Sequence, residues 1–116
     1  MNRDLRRARR RKADATILVV DAMTDEALGR LGNLSETGLL LMAATALPDD
    51  ALFQLRFALP GAGGPVPVEV GAHLLWQDAA GASGQCWSGF RFITVPPDAA
   101  YALRDWVGAG TAAEIA

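Results

Sequence analysis

Two stretches of this chain alternate between apolar and polar residues with a period of two, and that pattern restricts the fold more than any other feature. In residues 51–59, "ALFQLRFAL", Phe53, Leu55, Phe57 and Leu59 share one face, while Gln54 and Arg56 take the other. In residues 66–76, Val66, Val68, Val70, Ala72, Leu74 and Trp76 fall on one face, and Pro67, Glu69, Gly71 and His73 on the other. Successive side chains of a strand point to opposite sides of a sheet. The pattern therefore predicts strands with one face in a core and one in water.

The remaining segments fit the same class. Residues 15–22, "ATILVVDA", are short, apolar and β-branched, which predicts a strand. Residues 27–32 make a weaker strand and 38–43, "GLLLMA", a stronger one. In 86–94, "CWSGFRFIT", Phe90 and Phe92 lie together with Arg91 opposite. Turn-rich stretches separate these segments: "MTDE" at 23–26, "TALPDD" at 45–50, "PGAGGP" at 60–65 and "DAAGASGQ" at 78–85. The period then changes. "PPDAAYALRDWVG" at 96–108 opens on prolines and closes on Gly108, as helices do, with Ala99, Leu103, Trp106 and Val107 on one stripe. Six short strands spaced about ten residues apart, then a helix, predict a small antiparallel barrel or sandwich. Strands and helices do not alternate, which argues against a parallel nucleotide-binding sheet.

At 116 residues the chain fits one domain. Its net charge of −2 hides an asymmetry. Residues 1–12 carry seven basic groups (Arg3, Arg6, Arg7, Arg9, Arg10, Arg11, Lys12) and one acid, Asp4, for a net +6. Residues 13–116 carry four basic groups and twelve acids, for a net −8. The expected organisation is a mobile basic arm over 1–12, a barrel with its helix over 13–108, and a frayed tail over 109–116. A basic arm on an acidic body predicts an anionic partner near the N-terminus. The acidic body argues against a general nucleic-acid binder.

Several functions are disfavoured at this level. One cysteine, Cys86, gives no intrachain disulfide and no cysteine-based zinc site. One histidine, His73, gives no multi-histidine metal site. His73 is expected to be solvated, Cys86 to be a small half-buried residue, and Asp49 and Asp50 to lie in a solvated loop. Trp76 and Trp87 are expected in the core or at a barrel rim. With no nucleophile–base pair and no metal set, an enzyme, a cofactor and a metal are not expected. Arg6-Arg7 imitates the start of a twin-arginine signal, but the apolar run that follows, "ATILVV", is short of the roughly 7–15 residues a signal needs. No stretch approaches the ~18 apolar residues of a membrane helix. A cytoplasmic location with no membrane contact is expected.

Two motifs remain. The arm contains Arg-x-x-x-Arg pairs at Arg6/Arg10 and Arg7/Arg11, and again at Arg3/Arg7. Guanidinium is planar, permanently charged and presents a fork of donors that suits phosphate oxygens and the O6/N7 edge of guanine. A solvated basic tail is the plainer alternative. Further on, Gly32-Asn33-Leu34-Ser35-Glu36-Thr37-Gly38 interrupts two apolar strands. Asn33 and Ser35 are good turn residues, and Asn33 also offers a donor and an acceptor that match a base edge. Gly38 permits positive φ or close backbone approach. A hairpin turn alone explains the same residues.

Taken together, these features resemble the PilZ domain family. That family places an Arg-x-x-x-Arg pair before the first strand and an Asp/Asn-x-Ser-x-x-Gly motif about 20–30 residues later. Asn33, Ser35 and Gly38 match the second motif at all three positions. Gly89-Phe90-Arg91-Phe92 fits the family's late Gly-x-x-Phe, and Trp76 stands where many members end a long strand. The resemblance spans residues 6 to about 108. It implies a six-stranded antiparallel β-barrel of the split-barrel type with a C-terminal α-helix. It also implies a receptor for the second messenger cyclic di-GMP, of the kind used in motility and biofilm control. The arginines would hold guanines and phosphates, with Arg7 and Arg11 as the first pair and Arg6 and Arg10 as the alternative register. Asn33, Ser35 and Gly38 would complete the site, and Arg91 would add charge beside it. Ligand binding would order the arm and change either contact with a protein effector or self-association, as a monomer or a homodimer. The alternative within the family is an adaptor that binds protein and no nucleotide.

Overall fold

The computed structural model describes residues 9–81 and 83–109. Among these residues are seven strands and one helix: β1 (Arg11–Lys12), β2 (Leu18–Asp21), β3 (Glu26–Leu34), β4 (Gly38–Ala43), β5 (Leu52–Leu59), β6 (Val66–Ala79), β7 (Cys86–Thr94) and α1 (Pro97–Gly108). All pairings are antiparallel. The sheet runs β3-β2-β5-β6-β7-β4, and β4 also pairs with β3. Those six strands therefore close on themselves. The two-residue β1 lies outside the circuit, beside the end of β3, with Arg11 opposite Leu34 and Lys12 opposite Asn33. The expected six-stranded barrel with a C-terminal helix is present. Among the positions read as arm, Arg11 and Lys12 are paired to the barrel, and residues 1–8 lie outside the described residues, as do residues 110–116 of the tail.

The alternation explains the core. Leu55, Phe57 and Leu59 of β5 and Val68, Val70, Ala72 and Leu74 of β6 point inward, joined by Leu39 and Leu41 of β4, Leu31 and Leu34 of β3, and Phe90 of β7. Helix α1 opens with Pro97 in its first turn and adds Ala99, Ala102, Leu103, Trp106 and Val107 to the same core. Burying aliphatic side chains at about 25 cal/mol per Å² of apolar surface is what holds a domain of this size.

Two departures from even alternation matter. Strand β3 extends past residue 32 and includes Asn33 and Leu34, so the polar stretch is half strand and half turn. In β6 the register shifts between Leu74 and Trp76: Leu74 faces Phe90, Trp76 faces Gly89, and Leu75 has no partner of its own. A one-residue bulge reverses every later side chain. Trp76, expected in the core or at a barrel rim and on the same face as Leu74, therefore stands on the exterior and is 47% exposed. Trp87 lies on the exterior as well.

Gly38 shows how closely β4 approaches β7. A Cβ there would stand 2.3 Å from the Phe90 carbonyl oxygen, a backbone atom that cannot swing aside. Gly38→Ala is expected to cost about 1–3 kcal/mol, the usual range for overpacking, read as a lower urea midpoint at unchanged m-value.

Candidate functional site

The turn between β3 and β4 is three residues long, Ser35 to Thr37, and Ser35 organises it. The Ser35 side chain is fully buried. Its Oγ accepts the backbone N–H groups of Thr37 and Gly38, both at 3.1 Å. The Ser35 N–H donates to the Gly38 carbonyl at 2.9 Å. One hydroxyl thus satisfies two donors that no ladder bond reaches. The turn is tied onward as well: the Phe92 N–H donates to the Thr37 carbonyl at 2.8 Å, and Glu36 approaches Arg104 of α1 at 3.6 Å.

The strand registers then set a row across the outer face of the barrel. Asn33 pairs with Leu40, Leu40 with Gly89, and Gly89 with Trp76. All four positions face outward. Gly89 has no side chain, and the Trp76 indole lies in the space this leaves: a Cβ at Gly89 would stand 2.2 Å from Trp76 Nε1. The indole is thereby laid against the sheet, next to Leu40. A cleft of about 310 Å³ forms along this row, bounded by Arg10, Asn33, Leu40, Leu75, Trp76 and Gly89. It joins an aromatic plane and an aliphatic floor to a guanidinium and an amide, a mixture suited to a flat, polar-edged, anionic ligand.

The arginines divide at this point. Arg10 Nη1 donates to Asn33 Oδ1 at 2.7 Å, so residues from the two motifs, 23 positions apart, meet at the mouth of the cleft. Arg11 turns the other way. Its Nη1 donates to the Trp106 carbonyl at 2.8 Å, and its Cζ sits 4.1 Å from the Trp106 ring centroid. Arg6 and Arg7 lie outside the described residues. Ser35 and Gly38, expected to meet a ligand, are instead buried in the turn and against β7, and neither lines the cleft. They shape the site by positioning Asn33. Arg91 is exposed on β7 opposite Gly38 and is also outside the cleft. His73 is not simply solvated: its Nε2 meets Asp50 Oδ1, from the turn before β5, at 2.5 Å.

A profile described as the PilZ domain matches residues 4–109, nearly the whole chain. The chain belongs to the PilZ domain family. No curated protein matches it. Among solved structures, the PilZ domain is similar to the Bacillus subtilis inhibitor of motility, MotI/DgrA, with a TM-score of 0.70 and 14% identity. That match covers 86% of this chain and 48% of the other, so this chain spans about half the length of MotI. It is also similar to the PilZ domain of YcgR from Escherichia coli, solved with c-di-GMP, with a TM-score of 0.59, 20% identity, and coverage of 89% and 88%. Identities this low establish the shared fold and leave the site to be argued from its own residues.

In this PilZ domain the residue missed by sequence reasoning is Trp76. The available signal was Gly89: a glycine at an outward position of an otherwise well-filled strand marks a place where something lies close to the backbone. Two measurements check the site. Ser35→Ala leaves the buried Gly38 N–H and the partly buried Thr37 N–H without their acceptor and is expected to cost about 1–3 kcal/mol, seen in the urea midpoint. Gly89→Ala is expected to lift the indole from the sheet, seen as a shift of the Trp76 Nε1–H resonance with the remaining amide spectrum largely retained.

Proposed function

We propose that this chain is a cyclic di-GMP receptor that acts as an adaptor: it binds the nucleotide in the Arg10–Asn33–Trp76 cleft and passes the signal on through protein contact or self-association. The observation that supports this most directly is the Arg10–Asn33 hydrogen bond at the mouth of the cleft. It joins the arginine motif to the Asn-x-Ser-x-x-Gly motif in a family whose YcgR member was solved with this ligand. The ligand carries two guanines and two phosphates. A guanidinium supplies bidentate donors to phosphate or to guanine O6/N7. The Asn33 amide meets a base edge, and the Trp76 indole and Leu40 offer a flat apolar surface for the base itself. Arg10 donates to the Asn33 acceptor at the surface, so binding exchanges one exposed hydrogen bond for others made to the ligand.

Arg11 is held by α1, which favours Arg6 and Arg10 over Arg7 and Arg11 as the binding pair. Ser35 and Gly38 act through the shape of the turn. No bond is made or broken in the ligand, and the protein works as a cytoplasmic switch.

Isothermal titration with cyclic di-GMP tests the reading. Saturable binding that weakens as salt rises is expected, and no heat at high micromolar nucleotide in low salt overturns it. Arg10→Ala and Asn33→Ala are each expected to cost about 1–3 kcal/mol of binding free energy with little change in thermal stability, since both side chains lie at the surface. Retained affinity in Arg10→Ala with loss in Arg7→Ala returns the site to the other register. A partner that co-purifies without nucleotide, from a chain that binds none, supports the protein-only adaptor instead.

A further inference from the structure

The contacts of Arg11 give it a task distinct from that of its neighbour. Helix α1 ends without a basic residue in its last turn. The final carbonyls of a helix lack intrahelical partners and carry the negative end of its dipole. Arg11, 95 positions earlier in the chain, supplies the missing cation: it donates to the Trp106 carbonyl at 2.8 Å and stacks over the Trp106 ring at 4.1 Å. Asp14 stands 3.8 Å away on the solvent side. The Trp106 ring is itself buried in the core, so the platform under Arg11 is fixed.

The strand that carries Arg11 is weakly held by its own ladder. It comprises two residues, with one further backbone bond from the Ala13 N–H to the Gly32 carbonyl at 3.0 Å. So short a pairing is marginal without side-chain support. Arg10 is the next residue outward, and its side chain reaches Asn33. Neighbouring residues on an extended chain point to opposite sides. Fixing Arg11 on the helix therefore directs Arg10 at the cleft.

We infer that Arg11 is a positioning residue: anchored on the C-terminal end of α1, it holds Arg10 at the cleft and couples occupancy of the cleft to the stability of the helix end. The ligand half of this inference rests on the cyclic di-GMP reading; the anchoring half does not. Coupling is reciprocal, so a ligand that pulls on Arg10 tightens the helix end by the same factor that the anchor strengthens binding. The end of α1 is thus where occupancy of the cleft becomes visible to a partner.

Amide exchange and side-chain NMR on the full chain test this, using Arg11→Ala and Arg11→Lys. Without nucleotide, Arg11→Ala is expected to speed exchange at Val107, Gly108 and Ala109 and to shift the Asn33 side-chain amide as Arg10→Ala does. Arg11→Lys, which still donates to a carbonyl and sits over a ring, is expected to restore part of both. Unchanged helix-end exchange and an unmoved Asn33 amide in Arg11→Ala overturn the anchor, whether or not nucleotide binds. With cyclic di-GMP, wild-type protein is expected to gain protection at the helix end. Arg11→Ala is expected to bind about fivefold or more weakly and to lose that gain even at saturation. An affinity loss with the helix-end protection intact overturns the coupling and makes Arg11 a direct ligand contact. No uptake of nucleotide by wild-type protein, together with the expected nucleotide-free effects of Arg11→Ala, overturns the receptor reading and leaves the anchor standing.

Discussion

Strand β4 is hydrogen-bonded on both sides, to β3 and to β7, and the rest of the molecule depends on that double pairing. A sheet of six strands with free edges would expose two rows of unpaired backbone groups; closure removes both. It also fixes which side of every strand is in and which is out. Leu39 and Leu41 are drawn inward, and Leu40 is left outside between Asn33 and Gly89. The functional face is therefore a by-product of closure: the residues that remain outside along β3, β4, β7 and β6 form one transverse row.

Closure in turn depends on close backbone approach, and here the glycine of the second motif has its physical role. Gly38 lets β4 lie against the Phe90 carbonyl, and the buried Ser35 hydroxyl closes the turn that delivers it there. A residue type chosen for binding and one chosen for folding are hard to tell apart in such a motif, because the turn is what aims Asn33. The two explanations of Gly32–Gly38 are one explanation at two levels: Ser35 and Gly38 build, and Asn33 faces out.

This also explains what was legible in the sequence. The six barrel strands and the helix follow from period and punctuation, because burial on one face imposes period two and a buried helical stripe imposes period 3.6. The family motifs brought out Asn33 and the arginines. The bulge at Leu75 was hard to read: its traces are the apolar run Leu74-Leu75-Trp76, which breaks the alternation without showing which residue is extra, and the unfilled position at Gly89, fourteen residues later beyond a glycine-rich loop. The choice between Arg10 and Arg11 was equally hidden. Five arginines in six positions satisfy either register, and what separates them is the carbonyl and ring of Trp106, a contact 95 residues away.

The energetic consequence for the proposed site is a low internal cost of binding. The Arg10–Asn33 bond lies at the surface, where water competes for both partners, so displacing it costs a ligand little. Ordering backbone costs about 1–2 kcal/mol per residue, and at Arg11 and Lys12 the ladder and the helix have already met that cost. A ligand at the cleft therefore encounters one arginine already in place, and the binding energy left over can be directed at whatever lies upstream of it. The same anchor ties the barrel to the end of its helix beyond their shared core: the first paired residue among those described and the last turn of α1 are bonded to each other, and the cleft lies one residue from that bond.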